Sequence, residues 1–423
     1  MKREIFINSF ILSIGILLGR LSGYIRELVI AYKFDVSADS DTIILMLTVP
    51  DLLNNLLSSG AISGLLIPIL SKDKNPIEGI LQEFTLKLFK ITLMLYLLVV
   101  LSFLFLYELH LYVLIIISLL SVFPNVLTFI SVSFLQFKKK FKELSLNTLF
   151  FNSILILFLL LGFKNYFFAV GVILAAIFRM LWMYYNLKKN KINTRLVLSL
   201  EKKNKKNTIS YRLMVFMIFA NGVVFVLPMI DKIFASFLNE GSIALLSYAE
   251  KIYFLPVSVF LTTYAVAMFP DLSKMIADNK FLEANKLLNR VIFFNLILSL
   301  TIAVVFYFFS YDIVKLFYGI SKVKESNIIL VSEVLKSFTI AIIFAGTNSI
   351  LLNLVFANKW YKVLIYYSVS ILSLKLILNF MIKYYDFEVR FIPLGTSLLM
   401  LISVIGLYLT YKSKIKKIKI AEV

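Results

Sequence analysis

Two arginines six residues apart, Arg20 and Arg26, lie inside a long apolar stretch and are followed at once by Glu27, in the run GRLSGYIRELV. An arginine presents a planar fork of donors that matches phosphate, whereas a lysine presents a point charge. The chain has 36 lysines and only eight arginines, so arginine at both positions carries information. Two such cations in hydrocarbon point to a phosphate-bearing ligand, because a bilayer penalises surplus charge. A second arrangement is internal. Arg20 and Glu27 are two helical turns apart on one face and could pair, which leaves only Arg26 to explain.

Other ionisable or amide groups sit in similar surroundings. Asp41 precedes a run that contains Asp51, Asn54 and Asn55 in PDLLNNLLSSG; Asp231 and Lys232 are adjacent; Glu250 and Lys251 lie in SYAEKIYFLP. Arg179 lies in the inner half of the sixth apolar span, from which a long side chain can snorkel toward water. Glu333 and Lys336 are three apart and can satisfy one another, while Lys375 has no evident partner in the sequence. The single histidine, His110, falls in a connecting loop, and there is no cysteine. Disulfide, thiolate and clustered metal chemistry are therefore not indicated.

These residues belong to a chain of 423, of which 60% are apolar and 16% charged, with mean hydropathy +0.91. Ordinary soluble domains are about 45–50% apolar and about 25% charged. A membrane helix needs roughly 20 mostly apolar residues, and about twelve such segments can be placed. They run near 5–32, 41–70, 81–107, 111–136, 144–163, 167–187, 210–237, 244–269, 291–317, 328–356, 362–382 and 391–411. No strand pattern occurs. The expectation is an all-α integral membrane protein. A basic stretch at 188–209 separates residues 1–187 from 210–423, giving two six-helix lobes around a central cavity. The segment 271–290, DLSKMIADNKFLEANKLLNR, reads as an amphipathic helix on the bilayer surface.

The net charge of +20 is mostly a record of orientation. With the N-terminus inside, 27 of the 44 basic residues fall in inner loops and tails and seven in outer ones. Loops on the cytoplasmic side carry the excess of Lys and Arg, so both termini are expected there. Basic residues scattered between apolar runs do not form the solvated patch that nucleic-acid binding requires.

Weak self-similarity relates the two halves. Glu27-Leu-Val-Ile-Ala31 matches Asp231-Lys-Ile-Phe-Ala235 at an offset of 204, and Pro68-Ile-Leu-Ser-Lys72 matches Pro270-Asp-Leu-Ser-Lys274 at 202. Six spans separate the copies, so they share one orientation, which makes them parallel repeats of a transporter type. Pro50 and Pro256 sit in the middle of helices in the two halves, where they remove a backbone donor and permit bends.

The pieces GRLSGYIRE, Asp41 within SDT, and PDLLNNLLSSGAISGLLIPIL resemble the N-terminal signature of the MurJ (MviN) family of lipid II flippases. That family lies in the multidrug/oligosaccharidyl-lipid/polysaccharide flippase superfamily. A second block, ASFLNEGSIALLSYAEKIYFLP followed by FPDLSK, resembles the family's seventh and eighth helices. The resemblance implies that Arg20 and Arg26 face a cationic cavity and that Lys251 stands where the family commonly has arginine. It also makes Asp41 and Glu250 family acidic positions. It departs at PDLLNN, where the family reads PNLLRR, so Asn54 replaces an arginine and Asp51 adds a negative charge. Ser59 replaces an acidic residue, and about twelve helices stand where the family usually has fourteen.

The implied activity is translocation of a polyprenyl-diphosphate-linked peptidoglycan precursor across the bacterial cytoplasmic membrane by alternating access. Arg20, Arg26 and Lys251 would bind the diphosphate, with Asn54 and Asp51 near sugar or peptide. Asp41, Glu27, Glu250 and Asp231 would serve as gate counter-charges. The partners implied are the lipid-linked substrate and membrane lipids, with the chain acting as a monomer. Some members carry a sodium site in the C-terminal lobe to which Asp231 could contribute, yet Lys232 beside it could neutralise it. Coupling to the membrane potential or to a monovalent ion is thus left open, and no nucleotide-binding loop is present. Other readings are a flippase for another polyprenyl-linked glycan, a degenerate copy without transport, a drug or cation antiporter, and a membrane enzyme. An antiporter for cations would prefer an acidic cavity, and an enzyme would need clustered carboxylates or histidines for acid–base work.

Overall fold

Leucine, isoleucine and phenylalanine fill long segments that must satisfy every backbone N–H and C=O internally once water is gone, and the helix is the structure that does so. The computed structural model describes residues 2–58, 77–138, 146–163, 165–190, 210–261, 280–319, 323–358 and 360–421, with a few single positions between them. In the first half, helices α1 (Lys2–Phe34), α2 (Ala38–Asn55), α3 (Ile77–Leu104), α4 (Leu109–Leu119), α5 (Val122–Phe137), α6 (Asn147–Leu160) and α7 (Tyr166–Lys189) follow one another. The second half holds α8 (Tyr211–Ala235), α9 (Ser242–Pro256), α10 (Phe281–Phe308), α11 (Ser310–Tyr318), α12 (Glu325–Ala357), α13 (Tyr361–Tyr384) and α14 (Phe391–Ala421). Each of the twelve expected spans meets a helix, with the fourth broken at Leu120–Ser121 into α4 and α5. Eight helices among the described residues are long and apolar enough to cross a membrane.

One departure from the sequence expectation and one detail of the prolines concern helix ends. Residues 281–290, the second half of the predicted surface helix, form the opening turns of the continuous helix α10; most of 271–279 lies outside the described residues. Pro50 and Pro256 do not break their helices outright. Instead α2 winds into π geometry at Leu56–Ser58, and α9 does so at Val257–Leu261, directly after its proline. A proline removes one i→i−4 bond, and a wider π turn is one way to absorb the change. The two halves thus share a proline followed by π winding at nearly the repeat offset.

The chain forms two compact units. The first comprises residues 1–34 and 38–233, the second 35–37 and 234–423. The division falls inside α8, because Met214 and Ile218 of that helix belong to the core of the first unit, with Leu57, Phe84, Val126 and Leu187. The basic stretch in which the sequence placed the boundary lies, from residue 191 to 209, outside the described residues. The second unit has its own core, in which Leu288 of α10, Leu351 and Leu354 of α12, and Leu407 and Tyr411 of α14 are buried. Outward faces are apolar: Leu97, Leu98 and Leu101 on α3 and Phe293, Phe294 and Ile297 on α10 are exposed. That pattern fits hydrocarbon rather than water as the surrounding solvent.

Within the second unit, Asp35–Ser37 is tied down by hydrogen bonds. Tyr248 Oη donates to the Asp35 carbonyl (2.9 Å), and Asn327 Nδ2 donates to the Asp35 carboxylate (2.9 Å). Gly241, at the start of α9, has φ +85°, and a Cβ there would stand 2.4 Å from Val36 Cγ1. Both the left-handed backbone and the close approach require glycine. Gly241→Ala should therefore destabilise the protein by roughly 1–2 kcal/mol from backbone alone. The overlap with Val36 adds to this, and adding Val36→Ala should return only the steric part. Thermal unfolding in detergent measures it.

Candidate functional site

On α1, Gly19, Ser22, Gly23 and Arg26 recur at i, i+3, i+4 and i+7, which places them on one face. That face meets α6. A Cβ on Gly19 would stand 3.0 Å from Thr148 Cβ, and one on Gly23 would stand 3.5 Å from Asn152 Nδ2. Small residues let two membrane helices approach closely and bring polar groups within reach. Asn152 exploits the approach. Its Nδ2 donates to Ser22 Oγ (2.9 Å) and leans toward the Gly19 carbonyl (3.4 Å), and Ser22 Oγ donates to that same carbonyl (2.8 Å). With its amide nitrogen so engaged, Asn152 turns its Oδ1 to accept from Arg26 Nη1 at 3.0 Å.

Arg26 is only 8% exposed, and its Nε–H finds no acceptor among the described residues. A buried donor left unmatched costs about 1–3 kcal/mol. One end of the guanidinium is thus held while the Nε–H stays unmatched. Arg20, two turns earlier, is exposed, and no hydrogen bond or ion pair reaches it among the described residues. Glu27 is buried at 3% and has a partner. The alternative Arg20–Glu27 pairing does not form.

A second buried guanidinium was missed by the sequence reading. Arg179 on α7 does not snorkel; it is 7% exposed and enclosed within the first unit. Its Nη2 donates to Asn125 Oδ1 of α5 at 2.7 Å. The group lies over the rings of Phe129 (5.1 Å) and Phe151 (4.8 Å), and Asp51 of α2 is the carboxylate whose charge acts on it. Cation–π contact and the Asn125 amide oxygen together replace water around the cation. The signal that singles out Arg20 and Arg26, arginine in a lysine-rich chain, applies equally to Arg179. Asn54, one turn beyond Asp51, is buried with its Oδ1 unpartnered among the described residues.

The remaining predicted residues are spread over both units. Asp41 stands in the first turn of α2, where a carboxylate favours the helix N-terminus. Asp231 and Lys232, on the portion of α8 that packs with the first unit, are both buried. Glu250 and Lys251 of α9 are half-buried in the second unit. None of these five is without a partner. Glu333 does not look to Lys336: it lies 3.8 Å from Arg390 Nη1, whose Nε bonds Glu388 at 2.8 Å. His110 stacks on Tyr166 with ring centroids 5.5 Å apart. Among the described residues no group of three or more metal-ligating side chains occurs.

A family model described as Lipid II flippase MurJ matches residues 30–423. A probable lipid II flippase MurJ of Aquifex aeolicus is 24% identical over 377 residues, covering 84% of this chain and 73% of that protein. A solved structure of lipid II flippase MurJ in an inward closed conformation superposes with a TM-score of 0.78 at 22% identity, over 95% of this chain and 87% of that one. An inward-facing multidrug resistance MATE family transporter reaches 0.75 at 12% identity, over 96% of each chain. At these identities the structural likeness is one of fold, the twelve-helix, two-lobe fold of these transporters.

The Arg179 enclosure makes a prediction of its own. Removing the Arg179 cation leaves the buried Asn125 Oδ1 unmatched and takes away the charge on which Asp51 acts, at a cost of about 1–3 kcal/mol. Arg179→Met should lower the thermal midpoint of the purified protein strongly. Adding Asp51→Asn to it should restore part of the loss, whereas a further loss in the double variant would contradict the pairing.

Proposed function

The chain belongs to the MurJ family of lipid II flippases, and on that footing we propose that it moves lipid II from the inner to the outer leaflet of the bacterial cytoplasmic membrane by alternating access. It is a transporter rather than an enzyme. The substrate's diphosphate and sugars do not cross hydrocarbon unaided, since burying charge and hydroxyls without partners is costly. The observation that carries the reading is Arg26: a buried guanidinium on α1, fixed through Asn152, with an unmatched donor and, unlike the otherwise similar Arg179, no ring or carboxylate closing over it among the described residues. That is the form expected of a cation kept ready for a diphosphate oxygen.

The roles follow. Arg26 and the exposed Arg20 bind the diphosphate, the first as a fixed fork and the second as a mobile one. Lys251 of the second unit adds a further positive charge for the same substrate. Asn54, buried with an unmatched amide oxygen, meets a hydroxyl or amide of the sugar–peptide part. Asp51 acts through Arg179, holding that side of the first unit in place. Asp41, Glu27, Glu250 and Asp231 are the counter-charges that the cations take up when substrate is absent. The 27 basic residues against seven support an N-in, C-in orientation. The chain works as a monomer, in contact with lipid through the outward apolar faces of α3 and α10. A cationic drug is poorly matched to buried guanidinium groups, which disfavours an antiporter reading despite the shared fold.

The experiment replaces Arg20 or Arg26 by Ala and by Lys in cells that depend on this copy, and measures growth and lipid II turnover. Arg26→Ala should reduce turnover at least about tenfold, the loss expected for one charged hydrogen bond. Arg26→Lys should retain part of the activity, because the charge survives but the fork does not. Full growth with unaltered turnover in both Ala variants would sink the binding role.

A further inference from the structure

Lys375 of α13 is 1% exposed, among the most deeply buried large side chains of the chain. Its surroundings are oxygen-rich. Nζ donates to Thr396 Oγ1 at 2.6 Å and to the Ile392 carbonyl at 3.3 Å, both on α14. Thr396 Oγ1 donates its own proton to that same carbonyl (3.2 Å), so its lone pairs are turned toward the ammonium. Asn379, four residues beyond Lys375 and on the same face of α13, is equally buried at 1%. Ser397 and Ser368, nearby in sequence on the same two helices, are buried as well.

Carbonyl and hydroxyl oxygens presented without water are the ligands that replace the hydration shell of a bare monovalent cation. An ammonium head, a compact point charge with three donors, is a near equivalent. A charge at such a place is costly in a membrane helix, and an apolar side chain would fill the volume more cheaply. We propose that the Lys375 ammonium is a tethered monovalent cation, occupying an oxygen-lined site in the second unit that a free ion such as Na⁺ would otherwise take. The residues therefore do not fit a resident inorganic ion here, because its oxygens are already engaged. It follows that this chain needs no monovalent cation at that site. The inference concerns ion dependence alone and stands whether or not lipid II is the substrate.

The test is the thermal midpoint of the purified full chain at constant ionic strength, in NaCl, KCl or N-methyl-D-glucamine chloride. The parent protein should show the same midpoint in all three. Lys375→Ala, which removes the charge and opens the space, should be destabilised in N-methyl-D-glucamine. Na⁺ or K⁺ should then raise it saturably by roughly 3–6 °C, as binding to the folded state alone requires. Lys375→Met, which fills the space without charge, should be destabilised and show no cation response. A parent midpoint that rises saturably with Na⁺ would overturn the proposal, as would a Lys375→Ala response no larger than that of Lys375→Met. If Lys375→Ala folds only when prepared in Na⁺ or K⁺, the proposal is supported. If it folds in no salt while Lys375→Gln is as stable as the parent, Lys375 is only a hydrogen-bond donor and the proposal fails.

Discussion

A cation inside hydrocarbon persists only where protein atoms replace the water it has lost, and the arrangement of the helices in each unit turns on how this is done. Arg179 is enclosed: an amide oxygen, two aromatic faces and the charge of Asp51 surround it. Lys375 is seated on a carbonyl and a hydroxyl of the adjoining helix. Arg26, like Arg179, has an Nε–H without an acceptor among the described residues, but it differs in that no ring lies over it and no carboxylate acts on it there. The first two arrangements are closed and serve the framework. The third, on the function proposed, serves a ligand.

The Arg26 arrangement depends on small residues. Gly19, Ser22 and Gly23 let α1 approach α6 until Asn152 can grip both the α1 backbone and the guanidinium. Because Asn152 Nδ2 is engaged by Ser22, its carbonyl oxygen is left with one direction to face. An arginine on an exposed helix samples many rotamers, and ordering it on binding reduces affinity. Here the ordering is done in advance for Arg26 and not for Arg20, which gives the diphosphate ligand we propose one firm contact and one adaptable contact.

Much of the framework was legible in the sequence, because a bilayer imposes length, composition and charge asymmetry on any chain that crosses it. The spans were readable for that reason, and so was the kinship of Pro50 with Pro256, which the π turns after both helices now express in geometry. Arg26 was legible because arginine is scarce in this chain. Its clamp was not: Asn152 is 126 residues away, and an asparagine in an apolar run does not reveal which helix it will face. The sequence places Arg179 where it could snorkel, and its true depth depends on the packing of α5, α6 and α7 together. Glu333 was assigned to Lys336 by helical spacing, but a tertiary partner, Arg390, takes it instead. Lys375 was left unexplained because its acceptors are a main-chain carbonyl and a common hydroxyl, neither of which leaves a mark in sequence.

The central claim is that Arg26 is held open for a diphosphate. Its most direct measurement is the affinity of the purified protein, reconstituted in lipid discs, for lipid II, with parent and Arg26→Ala compared at matched thermal stability. The account predicts binding weaker by roughly 10- to 100-fold in the variant, the worth of a charge-assisted hydrogen bond. It also predicts that inorganic diphosphate, which competes with lipid II on the parent, loses most of its effect on the variant. Equal affinity and equal competition in the two proteins would contradict it.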